Sequence, residues 1–404
     1  MRRAQTAKMF MVAISLALTP GCAHAPMGSS VRAVTTIPFQ FVNNLILVPV
    51  RINGFEPTSF ILDTGASASV ISLALVKQFG LKIEGETDVS TSGGSIGAST
   101  LKNARVSLPG KELGQFNLLA IPLAGLEAGL GQPVGGILGA ELFDRFVVDI
   151  DYGTRTIQLH DPTGYVYAGS AAPLPIAFED HTPFINAVVV GSDGNSVEGI
   201  LLVDTGANGS LTLNSPFVKR NRFVETSERV IPITSGAILA GGARSYVGRL
   251  GELRIGTVKL LQPIVNLSED AAGDEASVTN AGFIGGEVLR RFKLITDYTR
   301  ARIILEATVR VSEPFEFDMS GMSLAAGGSG FEVVRVRLVI PGSPAAEAGI
   351  VVGDTLATID GVPANRLGLD QIRRLFRKDG VEYRLSLRRG GEVLEVRVKT
   401  RRLV

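Results

Sequence analysis

Cysteine is almost missing from this 404-residue chain: Cys22 is the only one, so no disulfide can form within it. Histidine is scarce too. His24, His160 and His181 stand far apart with no second cysteine near them, which excludes zinc-ligand spacing, and no glycine-rich phosphate loop occurs. Metal and cofactor are therefore not expected. Charge of one sign is also lacking, since 40 Lys and Arg offset 39 Asp and Glu; without a net field nucleic acid is not an expected partner class. Tryptophan is absent, and the apolar run Met9 to Leu18 is too short to span a bilayer comfortably. What is present points to β structure. Forty-seven glycines punctuate an apolar set dominated by Val, Ile and Leu, a mixture that favours many short strands joined by tight turns. The length allows two or three domains.

Arg2, Arg3 and Lys8 precede the apolar run, so residues 1–25 read as a secretory signal segment that is removed. Leu18-Thr19-Pro20-Gly21-Cys22 resembles a bacterial lipoprotein box and makes Cys22 the lipidation candidate, with cleavage after Ala23-His24-Ala25 as the alternative. Either route implies export to the cell envelope. The first adds attachment to a membrane surface through acyl chains.

The rest of the chain is organised by repetition. Asp63-Thr64-Gly65-Ala66 closes one apolar run, and Asp204-Thr205-Gly206-Ala207 closes another. Each is followed by a glycine-rich segment and then by Gly136-Ile137-Leu138-Gly139-Ala140-Glu141 or Gly282-Phe283-Ile284-Gly285-Gly286-Glu287. Asp151-Tyr152 and Asp297-Tyr298 complete the series. A long repeated unit of this kind is a duplicated domain. A net insertion in the second copy is placed in the acidic stretch Ser268 to Ala276. Leu45 to Ile52 and Ala187 to Val190 read as strands, a short helix is expected at Leu73 to Gln78, and hairpins at Thr91 to Ser99 and Thr234 to Ser245.

These residues carry a family resemblance. An Asp-Thr-Gly-Ala after a strand, a Gly-rich hairpin and a later apolar-apolar-Gly before a short helix resemble a retropepsin-type aspartyl protease lobe. The whole is similar to bacterial aspartyl protease family proteins with a C-terminal PDZ domain. The resemblance implies a mostly β fold: two tandem retropepsin-like β-barrel lobes, 32–165 and 170–310, forming one pseudo-dimeric unit, and a PDZ domain at 311–404. The chain is expected to be a monomer.

The chemistry has its own physical case. Peptide hydrolysis without a metal or a nucleophilic side chain needs a base to take a proton from water and an acid to give one to the carbonyl oxygen. Two adjacent carboxylates sharing one proton supply both. Asp63 and Asp204 are the catalytic candidates, and which of them holds the proton is left open. Thr64 and Thr205 are expected to bond across the interface, Gly65 and Gly206 to let the backbone turn close to the water, and Gly139 and Gly285 to leave room beside each loop. Ala66 and Ala207 stand where many acid-active relatives have Ser or Thr. The missing hydroxyls point to activity at mildly acidic to neutral pH. Gly93, Gly94, Ile96, Ile238 and Leu239 are the flap candidates, in hairpins suited to closing over an extended peptide. Glu141 and Glu287 are expected to cap backbone amides, Asp151 and Asp297 to start turns, and His181 to lie in a surface turn.

Beyond Val311, Phe331 to Val336 alternates as a strand, Gly342-Ser343-Pro344 opens a short helix, and Gly353 to Gly361 gives a strand and turn. This series resembles a PDZ domain. Its groove would lie between a helix at Asp370 to Arg377 and a strand following a carboxylate-binding loop at Gly321, Met322, Ser323 and Leu324, with Gly328 to Phe331 as runner-up, and would take a C-terminal or extended peptide. The function expected is an aspartic endopeptidase acting on peptide or protein substrates, with PDZ-assisted recruitment. The competing reading is a catalytically silent envelope protein that binds peptides in the same grooves.

Overall fold

A computed structural model describes residues 35–91, 94–237 and 241–404 of the chain. The signal segment and Cys22 lie outside the described residues, as do Gly93, Ile238 and Leu239. Strand accounts for 47% and helix for 16%, so the mostly β expectation holds.

In the first half, Leu45–Ile52 leads through the Asn53-Gly54 turn into Thr58–Leu62, the strand that ends at Asp63. That strand pairs in parallel with Gly136–Leu138, which pairs antiparallel with Val70–Ser72, just after the motif. The aspartate loop thus connects two strands that flank a third, distant in sequence. The second half has the same arrangement: Ser196–Val203 ends at Asp204 and runs parallel to Gly282–Ile284, whose antiparallel neighbour is Leu211–Leu213. Glycine is required where these strands cross. A Cβ on Gly136 would lie 2.1 Å from the Val70 carbonyl oxygen, and one on Gly282 would lie 1.9 Å from that of Thr212.

Below the two aspartate loops, three strands from each half form one sheet, in the order Thr35–Pro38, Thr156–His160, Val147–Asp151, Phe292–Asp297, Arg302–Ala307, Leu174–Pro175. Its central seam pairs Val148 with Thr296 and Ile150 with Leu294. One hydrophobic cluster runs through both halves, from Ile37 and Phe60 to Leu201 and Phe292. The halves therefore share a core.

The expected helix Leu73–Gln78 is observed with those bounds; the Ser72 side chain accepts from the Ala74 amide at 3.2 Å, and Leu75 and Val76 are buried. The two hairpins are longer than expected. One pairs Glu84–Thr91 with Gly94–Leu108, and the other pairs Val230–Ala237 with Gly241–Arg249. Of the flap candidates within the described residues, Gly94 begins a strand and Ile96 is half-buried beyond it.

The C-terminal module has a separate core around Leu324, Val336, Ile372, Phe376 and Leu385. Its strands follow the order Met322–Gly327, Val333–Val339, Thr355–Ile359, Glu382–Arg389, Glu392–Lys399, with Met322–Gly327 at one edge. The short helix Pro344–Glu347 is capped by Ser343. The longer helix spans Ala364–Leu375 instead of Asp370 to Arg377, because a preceding turn joins it across a kink at Gly368, where φ is +70°.

Candidate active site

Asp63 and Asp204 face each other at the junction of the two halves. Each backbone is tied to the strand crossing beside it: the Asp63 amide donates to the Leu138 carbonyl and the Asp204 amide to that of Ile284, both at 3.0 Å. The approach between the loops is close enough to exclude any side chain at the following glycines. A Cβ on Gly206 would lie 2.2 Å from Asp63 Cγ, and one on Gly65 would lie 2.9 Å from Asp204 Cγ.

The threonines interlock beneath the acids. The Thr64 amide donates to Thr205 Oγ1 and the Thr205 amide to Thr64 Oγ1, each at 3.0 Å. In turn Thr64 Oγ1 donates to the Val203 carbonyl at 2.5 Å, and Thr205 Oγ1 to that of Leu62 at 2.8 Å. Both side chains are buried, so all four bonds are shielded from water.

Electrostatics separates the acids from ordinary carboxylates. Burial raises the pKa of Asp63, against hydrogen bonds from backbone amides, of which Gly65 donates at 2.7 Å. Asp204 is pushed well above the usual range, first by burial and then by the charge of Asp63, although the Gly206 and Ala207 amides donate to it at 2.8 and 3.0 Å. Like charges in direct contact resist double ionisation, so the pair holds a proton at pH values where isolated carboxylates have lost theirs.

The two Glu positions do different work. Glu141 accepts from the Ser69 amide at 2.9 Å and from Ser69 Oγ at 2.6 Å, while Ser69 Oγ accepts from the Gly139 amide. It braces the loop after Asp63. Glu287 caps no amide; it binds Arg290 and Arg291 and accepts from Asn44 Nδ2 of the first half at 2.9 Å. Asn44 also donates to the Asn208 carbonyl in the second aspartate loop at 3.0 Å. Asp151 does hold a turn, through the Gly153 and Thr154 amides, but Asp297 is fully buried and paired with Arg300 and Arg302. Its place in the shared sheet explains the difference, because a buried carboxylate needs cationic partners. His181 is exposed in a turn and lies 3.0 Å from Asp144.

Sequence reasoning missed Asn44 and Arg291. Arg291 is wholly buried, with its guanidinium 3.5 Å from the Phe315 ring centre and bonded to the carbonyls of Arg310 and Pro314. It fixes the connector to the C-terminal module. Asn44 lies outside the repeated motifs, whereas Arg291 stands in the second copy opposite Arg145 of the first, a repetition that marks the position but not the partner it reaches across the domain boundary.

The C-terminal module docks on both halves. Gly131, at the end of the Ala124–Leu130 helix, fits between the edge strand and the long helix: a Cβ there would lie 3.0 Å from that of Leu369 and 3.5 Å from that of Ala326. Asp370 accepts from the Asn43 amide at 2.9 Å. On the other side Ile340 and Leu403 pack against Ile231 and Ile233, at the root of the second hairpin. Two amides of the expected carboxylate-binding loop are engaged internally, Gly321 with Asp318 at 2.7 Å and Met322 with Ser320 Oγ at 3.1 Å. Arg373 bridges the groove by donating to the Leu324 carbonyl at 2.9 Å. Ser323 is exposed, and Leu324 is buried in the module's core.

Residues 48–142 match the family model of the aspartyl protease, and residues 335–389 match that of the PDZ domain. The first match contains Asp63, whereas the likeness of the second half rests on its motif and strand order. No curated protein matches the chain.

Proposed function

We propose that this chain, which carries an aspartyl protease domain and a C-terminal PDZ domain, is an aspartic endopeptidase whose single site is shared by Asp63 and Asp204. The observation that carries this reading is the contact between the two acids over the reciprocal threonine bonds.

In the resting enzyme one proton serves the pair. Burial raises the pKa of both acids, and the proton belongs to the pair; the cycle starts from the form that carries it on Asp204. Water between the carboxyl groups attacks the peptide carbonyl carbon, giving a proton to Asp63 while Asp204 protonates the carbonyl oxygen. The product of this step is a neutral tetrahedral diol. Asp63 then protonates the amide nitrogen, Asp204 recovers a proton from a hydroxyl, and the C–N bond breaks. No covalent enzyme intermediate is needed. The glycines after each acid admit substrate and water close to the backbone, and the two hairpins supply covers for an extended peptide.

Recruitment by the PDZ domain takes a more specific form. Gly131 and Arg373 close part of the groove beside Met322–Gly327, so peptide capture there requires displacement of the Ala124–Leu130 helix. That helix leads directly into the strand paired with the Asp63 strand. Groove and active site are thereby mechanically linked. Export and lipid attachment at Cys22 complete the reading, giving an envelope enzyme.

Cleavage of a peptide library by the signal-free protein, beside Asp63→Asn and Asp204→Asn, tests the proposal. Removing either acid is expected to lower turnover by about 10²–10⁴-fold. Binding without cleavage by the intact protein would establish the silent receptor instead.

A further inference from the structure

A cavity of about 420 Å³ lies where the three parts of the chain meet, bordered by the Asn43-Asn44 turn, by Glu287 and Arg290, by the connector at Glu316, and by the last turns of the long PDZ helix. None of its lining comes from the Met322–Gly327 strand; Arg373, which reaches that strand through the Leu324 carbonyl, stands between the cavity and the PDZ groove.

Most charges around it are matched. Arg290 binds Glu287 and Glu313, Arg374 binds Asp370, and Arg402 holds one oxygen of Glu316 from outside. Two guanidinium groups keep spare hydrogen-bonding capacity, although Asp370 and Asp318 lie within electrostatic reach of Arg373. Arg373 gives one nitrogen to the Leu324 carbonyl, but its Nη1 is buried without a partner. Arg377, one helical turn further on, reaches only to 4.0 Å from Glu287, which two other arginines already hold. Burial lowers the Arg373 pKa to about 10. Glu316 lines the same cavity, and its Oε2 is buried with no donor. The walls thus offer an unfilled donor on the helix, a loosely held guanidinium just past its end, and an unfilled acceptor on the connector. A ligand that presents an oxyanion beside an N–H group satisfies both.

We propose that this cavity binds the C-terminal end of a peptide, with the carboxylate on Arg373 and Arg377 and an amide N–H toward Glu316. The inference rests on the peptidase reading, because each cleavage creates such a terminus. Bound there, the product ties the PDZ helix to both halves of the protease.

Calorimetric titration of the Asp63→Asn/Asp204→Asn double variant tests this without any cleavage, so failure of the peptidase reading leaves the measurement intact. N-acetyl-trialanine is expected to bind, and its C-terminal amide to bind at least about tenfold more weakly, the scale of one lost charge-assisted hydrogen bond. Arg377→Gln and Glu316→Leu are each expected to weaken the free acid by a similar factor; Arg377 leaves the Leu324 contact and the PDZ fold untouched. Inorganic phosphate binding as tightly as the peptide would reveal a plain anion site and overturn the proposal. Free alanine binding as tightly would do the same by making the occupant a single amino acid. Peptide binding indifferent to Arg377→Gln, or no binding at all, would also overturn it.

Discussion

Gly206 lies so close to Asp63 that a methyl group on it would sit 2.2 Å from the carboxyl carbon. The separation of the two acids is therefore set by the absence of a side chain. Gly206→Ala must push the loops apart, and it is expected to abolish cleavage while leaving the circular dichroism spectrum intact. Gly209, three residues on, has nothing within 4 Å of a Cβ position and provides the control. Equal activity of Gly206→Ala and Gly209→Ala would contradict the shared site.

The interlocked threonines make a stability prediction. Thr64→Val keeps the shape but removes the bond to the Val203 carbonyl and strands the Thr205 amide. A cost of about 1–3 kcal/mol is expected for the buried group left unpaired. Thr205→Val breaks a different pair of bonds, but the two hydroxyls also touch each other at 3.5 Å, so the double variant should lose less than the sum of the single losses. Denaturant unfolding of the four proteins measures this. Additive losses would mean that the two side chains act independently.

Much of this site was legible from the chain because it depends on local motifs used twice. Asp-Thr-Gly after an apolar run located the acids, and the later Gly-containing strands located their neighbours. The same logic failed at Asp297, since its position before Tyr298 resembles that of Asp151 while its surroundings in the shared sheet are fully buried. Asn44, Arg291 and Gly131 were illegible for a related reason. Each acts on a partner more than 20 residues away across a domain boundary, and no local pattern encodes docking.

The acid pair also fixes a pH dependence. Both folded-state pKa values are raised, so the folded protein binds protons more tightly than the unfolded chain. Their contribution to stability is complete below the unfolded carboxylate range, near about 4, and is lost as pH rises through the folded values. Asp204→Asn should flatten that decline in melting temperature. Activity follows the singly protonated pair, and with Ala66 and Ala207 supplying no hydroxyl, it should extend from mildly acidic toward neutral pH. Ala66→Ser combined with Ala207→Ser is expected to move the profile to lower pH; an unmoved profile would remove the fourth position from the explanation.

Gly131 provides the test of the closed PDZ groove. Its φ of +76° already disfavours a side chain, and a Cβ would press on Leu369 of the long helix. Gly131→Leu should therefore undock the Ala124–Leu130 helix from the edge strand. Amide hydrogen exchange in residues 322–327 is expected to accelerate, and a peptide that pairs with this strand should bind more tightly. Gly80→Leu separates docking from backbone strain, because Gly80 has a similar φ of +61° with no atom near its Cβ position. If both variants change exchange and binding equally, strain is responsible. If only Gly131→Leu does, the first half of the protease holds the groove shut, and peptide arrival must move the helix that leads into the strand beside Asp63.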